Sequence, residues 1–428
     1  MLLILAAVLV VGTPDVSLSQ RRFDNDPAAG SSTMGPSGRW RRARPSLGHT
    51  GMTAAQRAEV ERLRSIGYLS GTNPAPEATG ITVYDMDSAQ PGLNFYNSGH
   101  HAGAALMTMD GDILHEWEFP FLKAFPDSLA ASKNDGAEYW RYAKLFENGD
   151  VLAIFEGLGL IKVDKDSRLL WAHAGSEHHA LHAMDDGRIY VLTRKAHIVP
   201  SVNTVQPVLE DFITILDANG NELRSVSVLA AFLDSRYENA PFVYGMGKTG
   251  DLFHTNAIRV LDGMLEDRHP AFRKGNVLVS MRQLNLIAIV DMEYEQVAWI
   301  ASGMWRQQHD PKMLPNGNML LFDNKGYGGQ SKVVEFDPLT FEVAWSYYGK
   351  DSEPFYSQMC GASYRLENGN TLVTESDYGR AFEVAPDGRI VWEFVSQERA
   401  GKDGSLIATL FEVTRVDPED LGDWVDLE

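Results

Sequence analysis

A chain of 428 residues with 38 Lys and Arg against 58 Asp and Glu carries a formal charge of −20. That balance excludes a nucleic-acid partner, whose phosphates need a basic footprint, and the single Cys excludes an intrachain disulfide framework or a cysteine-cluster zinc site. At 44% hydrophobic the chain can bury a large core, and its nine Trp, 15 Tyr, 19 Phe and 38 Gly favour short strands and tight turns.

Residues 1–12 read MLLILAAVLVVG. The run is too short to span a bilayer comfortably and fits the apolar part of a secretory signal, with Ser17-Leu18-Ser19 as a small-x-small cleavage site. We therefore expect residues 1–19 to be a signal peptide, with a membrane anchor as the alternative, and a periplasmic or otherwise extracytoplasmic location. Residues 20–78 read as a basic linker. Pro, Gly, Ser and Arg dominate up to residue 56, no apolar period recurs, and Arg39, Arg41, Arg42 and Arg44 cluster. The cluster reads as a solvated tail or as a contact for anionic lipid. TAAQRAEVERLRSI (53–66) predicts one amphipathic helix, capped by Thr53 and ended by Gly67.

From Ile81 a unit recurs: a polar turn, a short apolar strand, a second strand ending in an acid, another turn, and a strand ending in an aromatic. Trp117, Trp171, Trp299, Trp345 and Trp392 mark the closing strands, with Arg224 at that place in the third unit. Inner strands follow Asn-Gly or Asp-Gly turns, as in ENGDVLAIF, DDGRIYVLT, NGNMLLF and NGNTLVTE. Units of about 45–55 residues with four strands each have the size of propeller blades. Six fit between residues 81 and 396. The expected fold is all-β: a six-bladed β-propeller of four-stranded blades over residues 79–428, with a short helical or disordered N-terminal extension. TLFEVTRV (409–416) lies beyond the sixth unit, and we expect it to pair into the first blade and close the ring.

Function must come from residues that break the repeat. His179 lies eight residues before the turn residue Gly187, His309 eight before Gly317, and His254 nine before Gly263. At that station the innermost strand begins, so three His from three blades would meet at the axis. They could form a zinc site, a nucleophile with acid/base partners, or an unrelated set. His178 and His182 flank His179 and leave open which of the three faces the channel; His100 and His101 are weaker candidates. Asn256 follows His254 by two and shares its face of a strand. Arg282 interrupts the apolar run VLVSMRQLNLIAIVD with no acid beside it, which points to anion binding. Asp310 reads as a turn or cap residue. Loops 121–139, 197–211 and 262–274 are expected to rim the pocket, with Phe121, Phe125, Tyr139, Trp140 and Phe272 either stacking on a ring or packing.

The stretches PGLNFYNSG, HHALHAMDDGRIYVL, DLFHTNAIRV, VLVSMRQLNLIAIVD and QHDPKMLPNGNMLLFDN, among others over residues 81–416, resemble the bacterial arylsulfotransferases, six-bladed propellers of the periplasm. The resemblance implies transfer of a sulfuryl group from an aryl sulfate to a phenol through a sulfated histidine, without metal or cofactor, and small-molecule partners. It implies that His309 in QHDP is the nucleophile and that His254 and Arg282 are acid/base and sulfate-binding groups. Asn256, as an amide donor, and His179 would complete the substrate site. The chain departs from the best-known members in lacking room for their larger N-terminal domain and in having only Cys360. Rival readings are a quinone-cofactor propeller, a metal hydrolase using His179, His254 and His309, and a non-catalytic scaffold.

Overall fold

The computed structural model describes residues 52–64, 71, 73–128, 135–349, 355–401 and 403–425. The apolar run and cleavage site of residues 1–19, the Arg39–Arg44 cluster and the helix stop at Gly67 lie outside the described residues. Six sheets form the ring, one per repeat, antiparallel but for the short strand Gly250–Asp251, which adds in parallel to blade three. Blade two holds strands from Tyr142 to His173, blade three from Glu177 to Ser227, blade four from Thr255 to Ala301 and blade five from His309 to Tyr347.

The remaining two blades join the chain ends. In blade one the innermost strand is Leu410–Val416, paired with Leu93–Ser98 so that Phe95 faces Thr414. In blade six, Ala362–Val395 is extended on its outer edge by a fifth strand, Gly80–Tyr84, which pairs with Ile390–Val395. The first strand thus sits on the last blade and the last strand on the first, so no inner edge is left open between them.

The alternation of the strands explains why the blades stack. In Val151–Phe155 every residue is buried. Val151, Ala153 and Phe155 pack toward blade one, and Leu152 and Ile154 pack toward blade three. Strands covered on both faces read as continuous apolar runs, and an apolar cluster fills each of the six interfaces between neighbouring blades. The marker Trp residues add a directional tie. The Trp117 indole donates to Gly149 O at 3.0 Å, Trp171 to Ala218 O at 3.1 Å and Trp392 to Met109 O at 2.9 Å, each in a turn of the next blade. Arg224, which replaces Trp in blade three, reaches the next blade by pairing with Glu295 at 2.7 Å.

Helix Ala54–Arg64 precedes the ring. Thr53 Oγ1 accepts the Gln56 N–H at 3.2 Å while Gln56 Oε1 accepts the Thr53 N–H at 2.8 Å, a reciprocal capping box. Val60 and Leu63 bury with Met52 against Ala196 and Leu209 of blade three. Among the described residues no helix is long and apolar enough to cross a membrane.

Candidate active site at the channel mouth

The first strand of each blade runs from one face of the ring to the other, and the second returns. The starts of the innermost strands and the turns between second and third strands therefore share a face. On that face a cleft of about 380 Å³, solvent at its mouth included, opens on the axis. Its wall takes Tyr142, Ala180, Ala257, Asp310, Ala362 and Glu412 from the innermost strands of all six blades.

His179, Asn256 and His309 line this cleft, and His254 reaches it through His179, the two Nε2 atoms standing 3.3 Å apart. The backbone makes this convergence with distortions. His179, His254 and Asp310 adopt φ of 59°, 52° and 53°. Strand pairing slips near each of them, at Val191/Thr193, Thr255/Ala257 and His309/Lys312. Bulges of this kind re-aim side chains, and strained backbone concentrates at functional sites.

His309 is buried at 3% exposure. Its Nδ1 lies 2.6 Å from Asn324 Oδ1. Asn324 Nδ2 donates to the carbonyls of Ser357 and Cys360, both at 2.8 Å. The amide is therefore fixed with its oxygen toward the ring, so His309 must carry its proton on Nδ1 and its lone pair on Nε2. That Nε2 is buried and has no partner among the described residues. Burial, then the nearby Arg282 charge, holds His309 well below its ordinary 6.5, which keeps the ring neutral.

His254 Nδ1 lies 2.8 Å from Asp251 Oδ2, and its backbone N–H donates to Asp251 Oδ1 at 2.9 Å. Burial works to raise the Asp251 carboxyl, but the His254 ring and these bonds hold it below the usual range. Of the three neighbouring His, it is His179 that faces the channel. His178 turns toward Asp211, Nε2 to Oδ1 3.6 Å, and His182 lies farther along the strand beside Arg259 and Lys144. His100 bonds Ser98 and pairs with Glu398, away from the cleft wall.

Three expectations are corrected by the geometry. Arg282 stands in the turn after the second strand of blade four, not within a strand. It is half-buried, its N–H donates to His254 O at 3.1 Å, and its Nη2 donates to Gln307 Oε1 at 2.9 Å. Among the described residues no carboxylate lies within ion-pair distance of Arg282, and its buried Nε has no hydrogen-bond partner. Asn256 donates its Nδ2 to Gln308 O at 2.8 Å, so the atom it presents is Oδ1, which has no partner among the described residues and is an acceptor rather than an amide donor for sulfate. Asp310 is not a turn residue. It takes Arg259 at 2.9 Å and Lys312 at 2.7 Å and accepts the Ser363 N–H at 3.0 Å, within a buried network that includes Tyr364 donating to Glu412.

The rim differs too. Phe121, Tyr139, Trp140 and Phe272 are buried in cores and cannot stack on a ligand; Phe125 packs on Phe121 at 4.9 Å. Residues 262–274 join the first and second strands of blade four and emerge on the opposite face. Phe411, its ring tilted against Tyr139 at 5.1 Å, supplies an aromatic wall instead.

Arg141 was missed, although the same count finds it: it lies eight residues before Gly149, as Gly361 does before Gly369. Both line the cleft. Arg141 sits over the Phe411 ring at 5.0 Å. Arg282 does not line the cleft as Arg141 does, but both charges act on His309, a local positive field suited to an anion in an acidic protein. Cys360 is buried and its thiol is pushed up to about 12, so it is no nucleophile.

Glu156, His178 and His179 bring donor atoms within 4.8 Å of one another. They do not fit a metal site, because the Nδ1 atoms of His178 and His179 already face each other at 2.7 Å and Glu156 Oε1 is paired with Arg194 at 3.3 Å.

No curated protein matches the chain. Similar solved structures include a protein of unknown function from Bacteroides caccae, with 14% identity over 75% of this chain and 98% of that one and a TM-score of 0.48. A streptogramin B lyase has 14% identity over 82% and 96%, with a TM-score of 0.43. AztD from Citrobacter koseri has 11% identity over 76% and 97%, with a TM-score of 0.40. The family described as arylsulfotransferase (ASST) matches residues 142–397, from the first strand of blade two through the last blade. That span is more than half of the chain and holds His179, His254, Asn256, Arg282 and His309, and the protein belongs to the arylsulfotransferase family.

Proposed function

We propose that this protein moves a sulfuryl group from an aryl sulfate to a phenolic acceptor through a sulfohistidine at His309. The observation that carries the reading is the buried, neutral His309 with its lone pair on an unpartnered Nε2 at the channel. A packing histidine has no reason to leave a buried nitrogen unsatisfied.

The chemistry follows from charge. An aryl sulfate is an anion, so a neutral imidazole approaches its sulfur without the repulsion that a carboxylate or thiolate would meet. Nε2 forms the N–S bond as the S–O(aryl) bond breaks. Asn324 Oδ1 holds the Nδ1–H as the ring takes on positive charge. Arg282 and Arg141 supply fixed positive charge to the sulfuryl oxygens, where preorganised electrostatics does most of the work. A phenolate of pKa about 10 leaves more readily when protonated, and we assign that proton to His254, whose Nε2 meets the cleft-lining His179. Asn256 Oδ1 accepts the hydroxyl of the incoming phenol. His254 takes that proton, the phenol oxygen attacks sulfur, and the N–S bond returns its electrons to Nε2. The scheme is ping-pong. The apolar run at residues 1–12 supports an extracytoplasmic setting, cleaved or anchored.

A chromogenic aryl sulfate, assayed with and without added phenol, tests this. Phenol is expected to raise the rate of chromophore release and to appear as its own sulfate ester. Release indifferent to phenol would mean hydrolysis, and no release would remove the reading.

A further inference from the structure

The tautomer of His309 depends on a turn that belongs to another blade. Asn324 Oδ1 faces His309 Nδ1 at 2.6 Å because the hydrogens of its Nδ2 are taken by the carbonyls of Ser357 and Cys360, both at 2.8 Å. Were the amide reversed, an N–H would point at the ring, and the His309 proton would have to sit on Nε2. The two carbonyls lie in residues 355–361, the connection into blade six, whose Gly361 lines the cleft. Asp377 holds this connection from the other side. It stands in the tight turn Ser376–Tyr378 between the second and third strands of blade six. Its Oδ2 accepts the backbone N–H of Gln358 at 2.6 Å and of Met359 at 3.0 Å, and its own N–H donates to Ser357 Oγ at 3.2 Å. The carbonyls of the turn therefore point to Asn324 while its N–H groups point to Asp377. Asn324, Ser357, Cys360 and Asp377 are each at most 5% exposed, so little water competes for these bonds.

The blade repeat does not call for this carboxylate. In blade five Asp323, which ends the second strand, accepts the Arg306 N–H from the preceding connection at 2.8 Å. In blade six Glu375 stands at the same place and accepts the Tyr356 N–H at 2.7 Å. Two residues farther on, blade five has Lys325 and blade six has Asp377. A second acid is thus added in blade six, where the connection borders the cleft.

We propose that Asp377 is a positioning residue for His309: by holding the turn at residues 357–360 it fixes the Asn324 amide, and so keeps the His309 proton on Nδ1 and the lone pair on Nε2. The kinetic consequence rests on the reading above; the tautomer does not. Asp377 acts through Asn324 and makes no bond to His309. The N–H groups it holds are neutral, so an amide oxygen in the same place would serve as well as a carboxylate. Without any acceptor there, two buried N–H groups are stranded. The turn then shifts to satisfy them, and the carbonyls that orient Asn324 shift with it.

The variants Asp377→Ala and Asp377→Asn test the assignment. Histidine-selective ¹⁵N spectra of the resting protein come first, because they need no turnover. Native His309 is expected to show a protonated Nδ1 and an unprotonated Nε2. Asp377→Asn should keep that pattern, and Asp377→Ala should show the ring averaging between its two tautomers. A native His309 pattern in folded Asp377→Ala, or equal disturbance in both variants, overturns the role of Asp377. With 4-nitrophenyl sulfate as donor and phenol as acceptor, Asp377→Ala should lose about 10–100-fold in kcat with KM within about threefold, the effect of a misplaced reacting group. Asp377→Asn should stay within about threefold in both. Adding Asp377→Ala to Asn324→Ala should cost less than about threefold more than Asn324→Ala alone, because the two residues act in series; fully additive losses contradict the proposal. If Asp377→Ala fails to fold, Asp377→Glu decides, since it keeps the charge and the acceptor but moves them out by one methylene. A disturbed His309 pattern in that variant supports the assignment, and a native one overturns it. Absence of turnover by the native protein would sink the transfer reading while leaving the spectra to judge Asp377.

Discussion

Replacing His309 by Asn or Ala is expected to reduce sulfuryl transfer at least about 10⁴-fold, with the loss in kcat rather than KM, as when a covalent nucleophile is removed. The substitution removes the ring whose Nδ1–H meets Asn324 and whose Nε2 faces the channel, and it leaves Arg282 and Arg141 in place to bind the anion. Thermal melting checks that the variant is folded. Because burial and Arg282 keep the native ring neutral well below pH 6.5, titration of His309 should add no acid limb between about pH 6 and 8 in the first half-reaction. Single-turnover release of the first phenol measures this. An acid limb that vanished in the His309 variant, or normal turnover by that variant, would contradict its role.

Asp310→Ala is expected to lower stability by about 3–5 kcal/mol, the cost of stranding buried cations. Asp310 holds Arg259 of blade four at 2.9 Å and Lys312 of its own strand at 2.7 Å, and it accepts a blade-six N–H from Ser363. Lys312 also lies over the Tyr364 ring, and Tyr364 donates to Glu412 of the closing strand. Four blades are thus tied together around the axis by a network whose Arg259, Asp310 and Glu412 line the cleft. Burial already pushes the Lys312 ammonium down to about 8, so it depends on Asp310 to stay charged. Urea unfolding of the variant should show a lower midpoint. A change below about 1 kcal/mol, typical of exposed pairs, would mean that water reaches the network.

The architecture was legible because its physics repeats. Every blade buries both faces, so apolar runs, turn glycines and closing Trp recur in register. What did not repeat was harder to read. Gly80–Tyr84 finds its partner some 300 residues later, and nothing local in ITVYD marks it as the outer strand of blade six. The station before the turn glycine located His179 and His309, but counting histidines alone passed over Arg141 at the same place. Asn324, Asp251 and Asp377 act by contacts between or behind strands, and each is an ordinary turn or strand residue in sequence. Rim aromatics such as Tyr139 and Trp140 could not be told from stacking residues until their burial was known. Asn256 shows the finer limit: its residue type was right for a polar site, but which amide atom faces the channel depends on Gln308 O.

Intact-mass analysis after mixing the protein with an aryl sulfate and no acceptor tests sulfohistidine formation most directly. The account predicts the addition of one SO₃ group per chain, mapped to His309 and discharged by added phenol. Turnover without any adduct, or an adduct on another residue that phenol discharges, would contradict it.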